Sequence, residues 1–205
     1  MRLLVGSQNR GKLEEYRLLL APLGLELLTP QSMGLEIDEA EGTTSLEENA
    51  IAKARLYARR SGLLTLAEDS GLFVDALGGA PGVLSARFGA SDRERIEALL
   101  MKLQGMPRGK RGAHFVCVIA LTELGKLLGV FQGEVAGEIA DKPRGSSGFG
   151  YDPVFFLPEL GKTMAQLSLE EKNRISHRGR AARKALNFLQ RLASGVPIDT
   201  GQKQT

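Results

Sequence analysis

The stretch that decides the reading of this chain is LAEDSGLFVDALGGAPGVLSAR, Leu66 to Arg87. Residues 63–67 are apolar and predict a buried strand that ends in two acids, Glu68 and Asp69. Ser70-Gly71 follow at once, then a short apolar run, 72–74, then Asp75 and the turn Gly78-Gly79-Ala80-Pro81-Gly82. Ligands in open α/β sheets gather at the carboxyl ends of strands. Adjacent carboxylates there can hold Mg²⁺ or take a proton from water. The same residues also suit a plain polar strand end with an Asx turn, so three readings stand open at this point.

Upstream, residues 2–7 read as a short buried strand and 12–20 as an amphipathic helix with Leu13, Tyr16, Leu19 and Leu20 on one side. The joint between them, Gly6 to Lys12, fits G-x-x-x-x-G-K. A phosphate loop then requires Ser or Thr for Mg²⁺, and Leu13 stands there, so that reading is rejected. A polar loop feeding a helix N-terminus still suits phosphate, and it equally suits an ordinary strand-to-helix turn. Residues 25–28 predict a second strand. Residues 29–43 form a long connection carrying Glu36, Asp38, Glu39 and Glu41, and connections of that length are often functional. Ser45-Leu46-Glu47-Glu48 is a capping box opening a helix to about Arg60, closed by Gly62. Asn49 and Lys53 lie one turn apart on it. Asparagine is a mediocre helix former, so Asn49 points to a positioned side chain.

Downstream, Ser91 to Glu94 opens a helix reaching Gln104. Residues 113–121 and 127–135 predict a hairpin, the arm of a second lobe. The loop Pro143-Arg144-Gly145-Ser146-Ser147-Gly148-Phe149-Gly150-Tyr151-Asp152-Pro153 combines glycines, which allow close backbone approach, with two rings able to meet a base. Residues 154–157 predict a strand. Ser168 caps a short helix carrying Lys172. Ser176-His177-Arg178 stands at the start of a last helix that packs through Ala181, Ala185, Phe188, Leu189 and Leu192 and ends at Gly195. Residues 1–195 are expected to form one catalytic domain of two lobes, and 196–205 a flexible tail.

With 205 residues and 42% hydrophobic content the chain can bury a sizeable core. No apolar run approaches the ~18 residues of a membrane span, and no signal peptide is read. Cys117 is the only cysteine and reads as a buried core thiol. These features suit a soluble cytoplasmic protein. The net charge of +3 comes with basic clusters at 108–111 and 172–184, which leaves nucleotides and nucleic acid open as ligands. Against nucleic acid, aromatics are 5% with no Trp, and no RNA-recognition motif is present.

Taken in order and at their spacings, four motifs resemble the inosine triphosphate pyrophosphatase family. They are the 7–12 loop, Glu68 to Leu72 with the 78–82 turn, Phe149 to Pro153, and Ser176-His177-Arg178. The resemblance covers Leu3 to about Leu192. It implies an elongated, two-lobed α/β fold, a mixed sheet with flanking helices and a central nucleotide cleft, working as a homodimer with Mg²⁺. The implied reaction cleaves ITP, dITP and XTP between the α- and β-phosphates, giving the monophosphate and pyrophosphate. By the same resemblance Ser7, Gln8, Asn9, Arg10, Gly11 and Lys12 meet the triphosphate; on charge alone Lys53 is a further candidate to oppose it. Asp69 is then the general base and a metal ligand, and Glu41 the second metal ligand. Ser70 lies against the substrate. Phe149, Gly150, Tyr151 and Asp152 line base and sugar, while Lys172, His177 and Arg178 meet the base.

Two departures from the family pattern are visible. Glu68-Asp69 stands where many relatives have Asp-Asp, and the spacing from Gly42 to Glu48-Asn49 is one residue longer. Three rivals remain at this level: a pyrophosphatase for other modified nucleotides, a nucleotide sensor without turnover, and a basic nucleic-acid-binding protein.

Overall fold

The computed structural model describes residues 2–37 and 45–194, and its first strand shows how the layers are set. Strand β1 (Arg2–Gly6) pairs in parallel with β2 (Glu26–Leu28) on one side and with β3 (Thr65–Val74) on the other. Leu3, Val5 and Leu66 face a core shared with Tyr16 and Leu20 of helix α1 (Arg10–Leu20) and with Ala181, Ala185, Phe188 and Leu189 of helix α5 (His177–Ala193). Leu4 faces the other way, onto Ile37 and onto Tyr57 of helix α2 (Leu46–Ser61). Strands covered on both faces have no polar side to show, which is why this part of the chain reads as apolar runs. Gly6 is needed at the end of β1: a Cβ there would lie 2.7 Å from a ring carbon of Tyr57.

The chain divides into two compact units, each best described by itself. The first comprises Met1–Asp69, Cys117–Gly133 and Arg178–Thr205. Its helices begin and end as their sequences dictate. Asn9 caps α1, accepting from the Lys12 amide, and Ser45 Oγ accepts from the Glu48 amide at the start of α2. Gly62, with φ 68°, closes α2 by donating to Ala58.

The second unit comprises Ser70–Val116 and Glu134–His177. Here Leu72 and Phe73 of β3 pair antiparallel with Gly82 and Pro81 of the short strand β4 (Pro81–Gly82). Strand β7 (Phe155–Leu157) pairs with Glu138 and Ile139 and with β8 (Lys162–Thr163). Leu72, Val74, Leu99, Ile139, Val154, Phe155 and Met164 are among its core residues. Helix α3 (Asp92–Lys102) is capped by Ser91, and helix α4 (Leu169–Ile175) by a complete Ser168/Glu171 box.

The predicted hairpin is present and longer than read: β5 (Gly112–Glu123) and β6 (Lys126–Ile139) are joined by Leu124-Gly125. Their φ values of 49° and 83° are the paired left-handed residues of a two-residue hairpin turn. Together the strands make one eight-stranded mixed sheet in the order β2-β1-β3-β5-β6-β7-β8, with β4 on β3. One expectation needs correction. The strand does not end at the acids; β3 runs unbroken from Thr65 to Val74 with Glu68 and Asp69 inside it. Polar residues mark a strand end only when they need water, and these two find protein partners instead. Glu41, and with it the acidic stretch 38–44, lies outside the described residues, as do 195–205.

Candidate active site

Strand alternation explains what the two acids do. Glu68 follows Leu66 onto the face covered by α1 and α5, and Asp69 follows Ala67 onto the face covered by α2. They are therefore not a carboxylate pair acting on one ligand, as their adjacency in sequence suggested.

On the α2 face, Asp69 Oδ2 accepts from Asn49 Nδ2 at 2.8 Å, and Asp69 Oδ1 lies 3.3 Å from Lys53 Nζ. All three side chains are buried, Asp69 being 5% exposed. The one-turn spacing of Asn49 and Lys53 puts both on the side of α2 that meets β3. This accounts for an asparagine in the first turn of the helix: it holds one oxygen of a carboxylate while the lysine neutralises the other. Buried charges persist where they are paired and hydrogen-bonded.

On the opposite face, Glu68 is the centre of a denser group. Arg178 donates to it twice, Nε to Oε2 at 2.8 Å and Nη2 to Oε1 at 2.9 Å, and gives Nη1 to Glu15 Oε2 at 2.6 Å. Lys12 Nζ lies 2.8 Å from Glu68 Oε1. Tyr16 Oη and Cys117 Sγ each donate to Glu68 Oε2 at 2.9 Å. Burial works to raise the Glu68 pKa, but the Arg178 and Lys12 charges outweigh it and hold the carboxyl well below its ordinary range. Burial, reinforced by the Glu68 charge, pushes the Tyr16 hydroxyl and the Cys117 thiol well up. Both stay protonated and serve as donors, so Cys117 is more than the inert core thiol that its apolar surroundings suggest.

The loop before α1 is built from its own side chains. Ser7 Oγ accepts from the Asn9 amide at 3.2 Å, and Gln8 Nε2 donates to the Ile37 carbonyl at 2.6 Å. A cavity of about 630 Å³ opens beside it, lined by Ser7, Gln8, Arg10 and Leu13 with residues of the 30–37 segment. Gly11 and Lys12 form the first turn of α1 with Arg10, and amide groups at a helix start suit an anion; the Lys12 amide itself is held by Asn9 and its ammonium by Glu68.

The second unit gathers another set. Lys172 and Asp152 form a buried ion pair. Lys172 Nζ lies 4.7 Å from the centre of the Phe149 ring, and the Phe149 amide donates to Asp152 Oδ2 at 2.9 Å. Tyr151 is buried and donates to the Ser85 carbonyl at 2.9 Å; burial raises its hydroxyl pKa. Gly148 and Gly150 sit at φ 76° and 61°, a region open to glycine at little cost, which lets the loop fold back around Asp152. His177, also buried, stacks on Phe115 at 4.6 Å. Sequence neighbours His177 and Arg178 thus have separate surroundings, one against a ring and one between two carboxylates. Ser70 follows Asp69 in β3 and is half-buried.

Reading the sequence missed Glu15 altogether and took Tyr16 only as core. A signal for Glu15 existed: it stands one turn before Leu19 on the apolar side of α1, where a carboxylate needs a cationic partner.

Among the described residues no three His, Cys, Asp or Glu side chains form a group able to cage a metal. The donors that are present, buried carboxylates beside lysines, fit a hard cation that keeps oxygen ligands from a substrate. Mg²⁺ is usually held that way, by one or two carboxylates plus phosphates. No described helix is long and apolar enough to cross a membrane.

Comparison with known proteins places these residues in context. Residues 3–188 match the model of the Ham1 family. The chain is 46% identical over 193 residues to the dITP/XTP pyrophosphatase of Yersinia pseudotuberculosis, covering 92% of this chain and 98% of that one. It is 49% identical over 186 residues to the dITP/XTP pyrophosphatase of Gloeobacter violaceus, covering 90% and 92%. Among solved structures, a HAM1 protein from Coxiella burnetii superposes with a TM-score of 0.81 at 41% identity, covering 93% of this chain and 98% of that chain.

Proposed function

The chain belongs to the Ham1 family as a nucleoside triphosphate pyrophosphatase, and from that premise we propose that it performs Mg²⁺-dependent hydrolysis of ITP, dITP and XTP to the monophosphate and pyrophosphate. The relatives are pyrophosphatases, which favours hydrolysis over nucleotide sensing without turnover. One observation carries the chemistry: the buried Asp69 carboxylate fixed between Asn49 and Lys53.

In this reading water attacks the α-phosphorus, and Asp69 accepts its proton. The bond from the α-phosphorus to the bridging oxygen breaks, and pyrophosphate leaves with that oxygen. A carboxylate held by two donors keeps its orientation, which is what a base for a positioned water needs. Lys53 and Lys12 oppose the charge of the triphosphate, together with the 7–12 loop, since phosphoryl transfer is mostly positioning and charge stabilisation. Mg²⁺, when bound, would be held by Asp69 and the substrate's phosphate oxygens and supplies further charge neutralisation. Glu68 acts one step back: it anchors Lys12 and is itself anchored by Arg178.

The base is assigned to the second unit's set. It stacks on the Phe149 ring face opposite Lys172, and His177 and loop amides offer donors to a 6-oxo group, which a 6-amino group does not satisfy. A homodimer, which rests on the family resemblance, and a cytoplasmic setting, which rests on the composition of the sequence, belong to the same proposal.

The test is pyrophosphate release from XTP, ITP, dITP, GTP and ATP, with and without Mg²⁺. Xanthine and hypoxanthine nucleotides are expected to exceed ATP in kcat/KM by about 10⁴ or more, the scale on which hydrogen-bonded sites discriminate, against about 10² for shape alone. Release is expected to cease when the metal is chelated. Equal turnover of ATP and XTP overturns the base assignment, and undiminished release in chelator overturns the metal requirement.

A further inference from the structure

Within the second unit, the loop that carries Phe149 is held from outside at two points. The Gly150 amide donates to Asp92 Oδ2 at 2.7 Å, across 58 positions of sequence. The other oxygen of Asp92 accepts from Arg95 Nη1 at 2.6 Å, and Arg95 Nε donates to the Gly89 carbonyl at 3.0 Å. Asp92 is the first residue of α3, and an acid there would ordinarily be explained by the helix dipole alone. That explanation leaves the bond to Gly150 unaccounted for. The second point is Tyr151, whose hydroxyl reaches the Ser85 carbonyl; Ser85 Oγ in turn holds the Leu72 amide at 2.8 Å and the Gly82 carbonyl at 2.6 Å. Residues 149–152 are thus pinned to α3 on one side and to the β3–β4 pairing on the other, with Asp152 pinning the Phe149 amide from within.

We propose that Asp92 is a positioning residue for the nucleotide base. Its carboxylate, oriented by Arg95, fixes the Gly150 peptide and so the plane of the neighbouring Phe149 ring. The inference rests on the reading that the base stacks on Phe149. A loop with two glycines in the left-handed region, 148 and 150, has many conformations open to it without such a clamp. The clamp touches neither the phosphates nor the reacting atoms, so it should act on base binding and leave the chemical step alone.

The experiment compares Asp92→Ala and Asp92→Asn with the unaltered protein, using kcat and KM for XTP and ATP and hydrogen exchange of the Gly150 amide. Asp92→Ala is expected to raise KM for XTP about tenfold, the scale of one charge-assisted hydrogen bond. Its kcat should stay within about twofold, the pattern of lost uniform binding. The XTP-to-ATP ratio should fall, and the Gly150 amide should lose protection. Asp92→Asn keeps an acceptor oxygen and is expected to recover most of the KM and the protection. The proposal is overturned if Asp92→Ala leaves KM and the ratio unchanged, or leaves Gly150 protected, or if Asp92→Asn is as impaired as Asp92→Ala. Phe149→Ala separates the underlying reading from this one: an unchanged KM there removes Phe149 from the base site, whatever Asp92 does to the Gly150 amide.

Discussion

Asp69→Asn is expected to lower kcat for XTP by at least about 10², the lower range for a lost general base, while the protein stays folded. The amide keeps the shape of the carboxylate but loses its charge and its basicity. Asn49 Nδ2 and Lys53 Nζ, which now face carboxylate oxygens at 2.8 and 3.3 Å, would meet a side chain with one acceptor and one donor end. One of the two contacts survives and the other becomes repulsive. Nucleotide binding should persist in part, because the 7–12 loop and Phe149 are unaltered. Steady-state kinetics at saturating Mg²⁺, with binding of a non-hydrolysable triphosphate measured alongside, checks both halves. Near-normal turnover would mean that another group takes the proton.

Arg178→Ala is expected to cost about 3–5 kcal/mol of stability at neutral pH, the scale for leaving a buried charge unpaired. Arg178 is 1% exposed and serves two carboxylates, Glu68 and Glu15, themselves 2% and 1% exposed. For a chain of this size that corresponds to a fall in Tm of about 6–20 °C. The sign of the pH dependence separates this cause from simple loss of packing. Glu68 is held well below its ordinary pKa, burial opposing and the Arg178 and Lys12 charges prevailing. Its contribution to stability is therefore present above the unfolded carboxyl pKa and lost as pH falls through the lower folded value. In Arg178→Ala that attraction is gone, and acid relieves the variant by neutralising the abandoned carboxylates. The gap between variant and parent should be widest near pH 7 and narrow below about pH 4.5, near the unfolded carboxyl value. Denaturant unfolding across that range tests it; a gap independent of pH would assign the loss to packing.

Much of the framework was legible because it depends on local patterns. Apolar runs, serine caps and glycine stops located the α-helices and most strand ends within a few residues. Asn49 gave itself away as a poor helix former in a good helix, and its partner is Asp69. The end of β3 was misread because two acids after an apolar run signal water, and nothing local shows that Tyr16, Cys117 and Arg178 will supply the missing polar contacts. Those partners lie 52, 49 and 110 positions from Glu68, and Glu15 lies 163 from Arg178. Side chains so distant can be paired from sequence only by asking which buried charge needs which partner. That question was available for Glu15: α1 leaves Leu18 exposed at 44% and buries Glu15 at 1%, the reverse of what hydropathy gives. It was available less clearly for Asp92, whose place at a helix start hides its second duty on Gly150.

The central claim is that this chain breaks the α–β anhydride of a 6-oxopurine triphosphate by attack of water at the α-phosphorus. The most direct measurement is hydrolysis of XTP in ¹⁸O-labelled water with Mg²⁺, followed by mass analysis of both products. The account requires one label in xanthosine monophosphate and none in pyrophosphate. Label in the pyrophosphate, or release of inorganic phosphate with the diphosphate left behind, would contradict it.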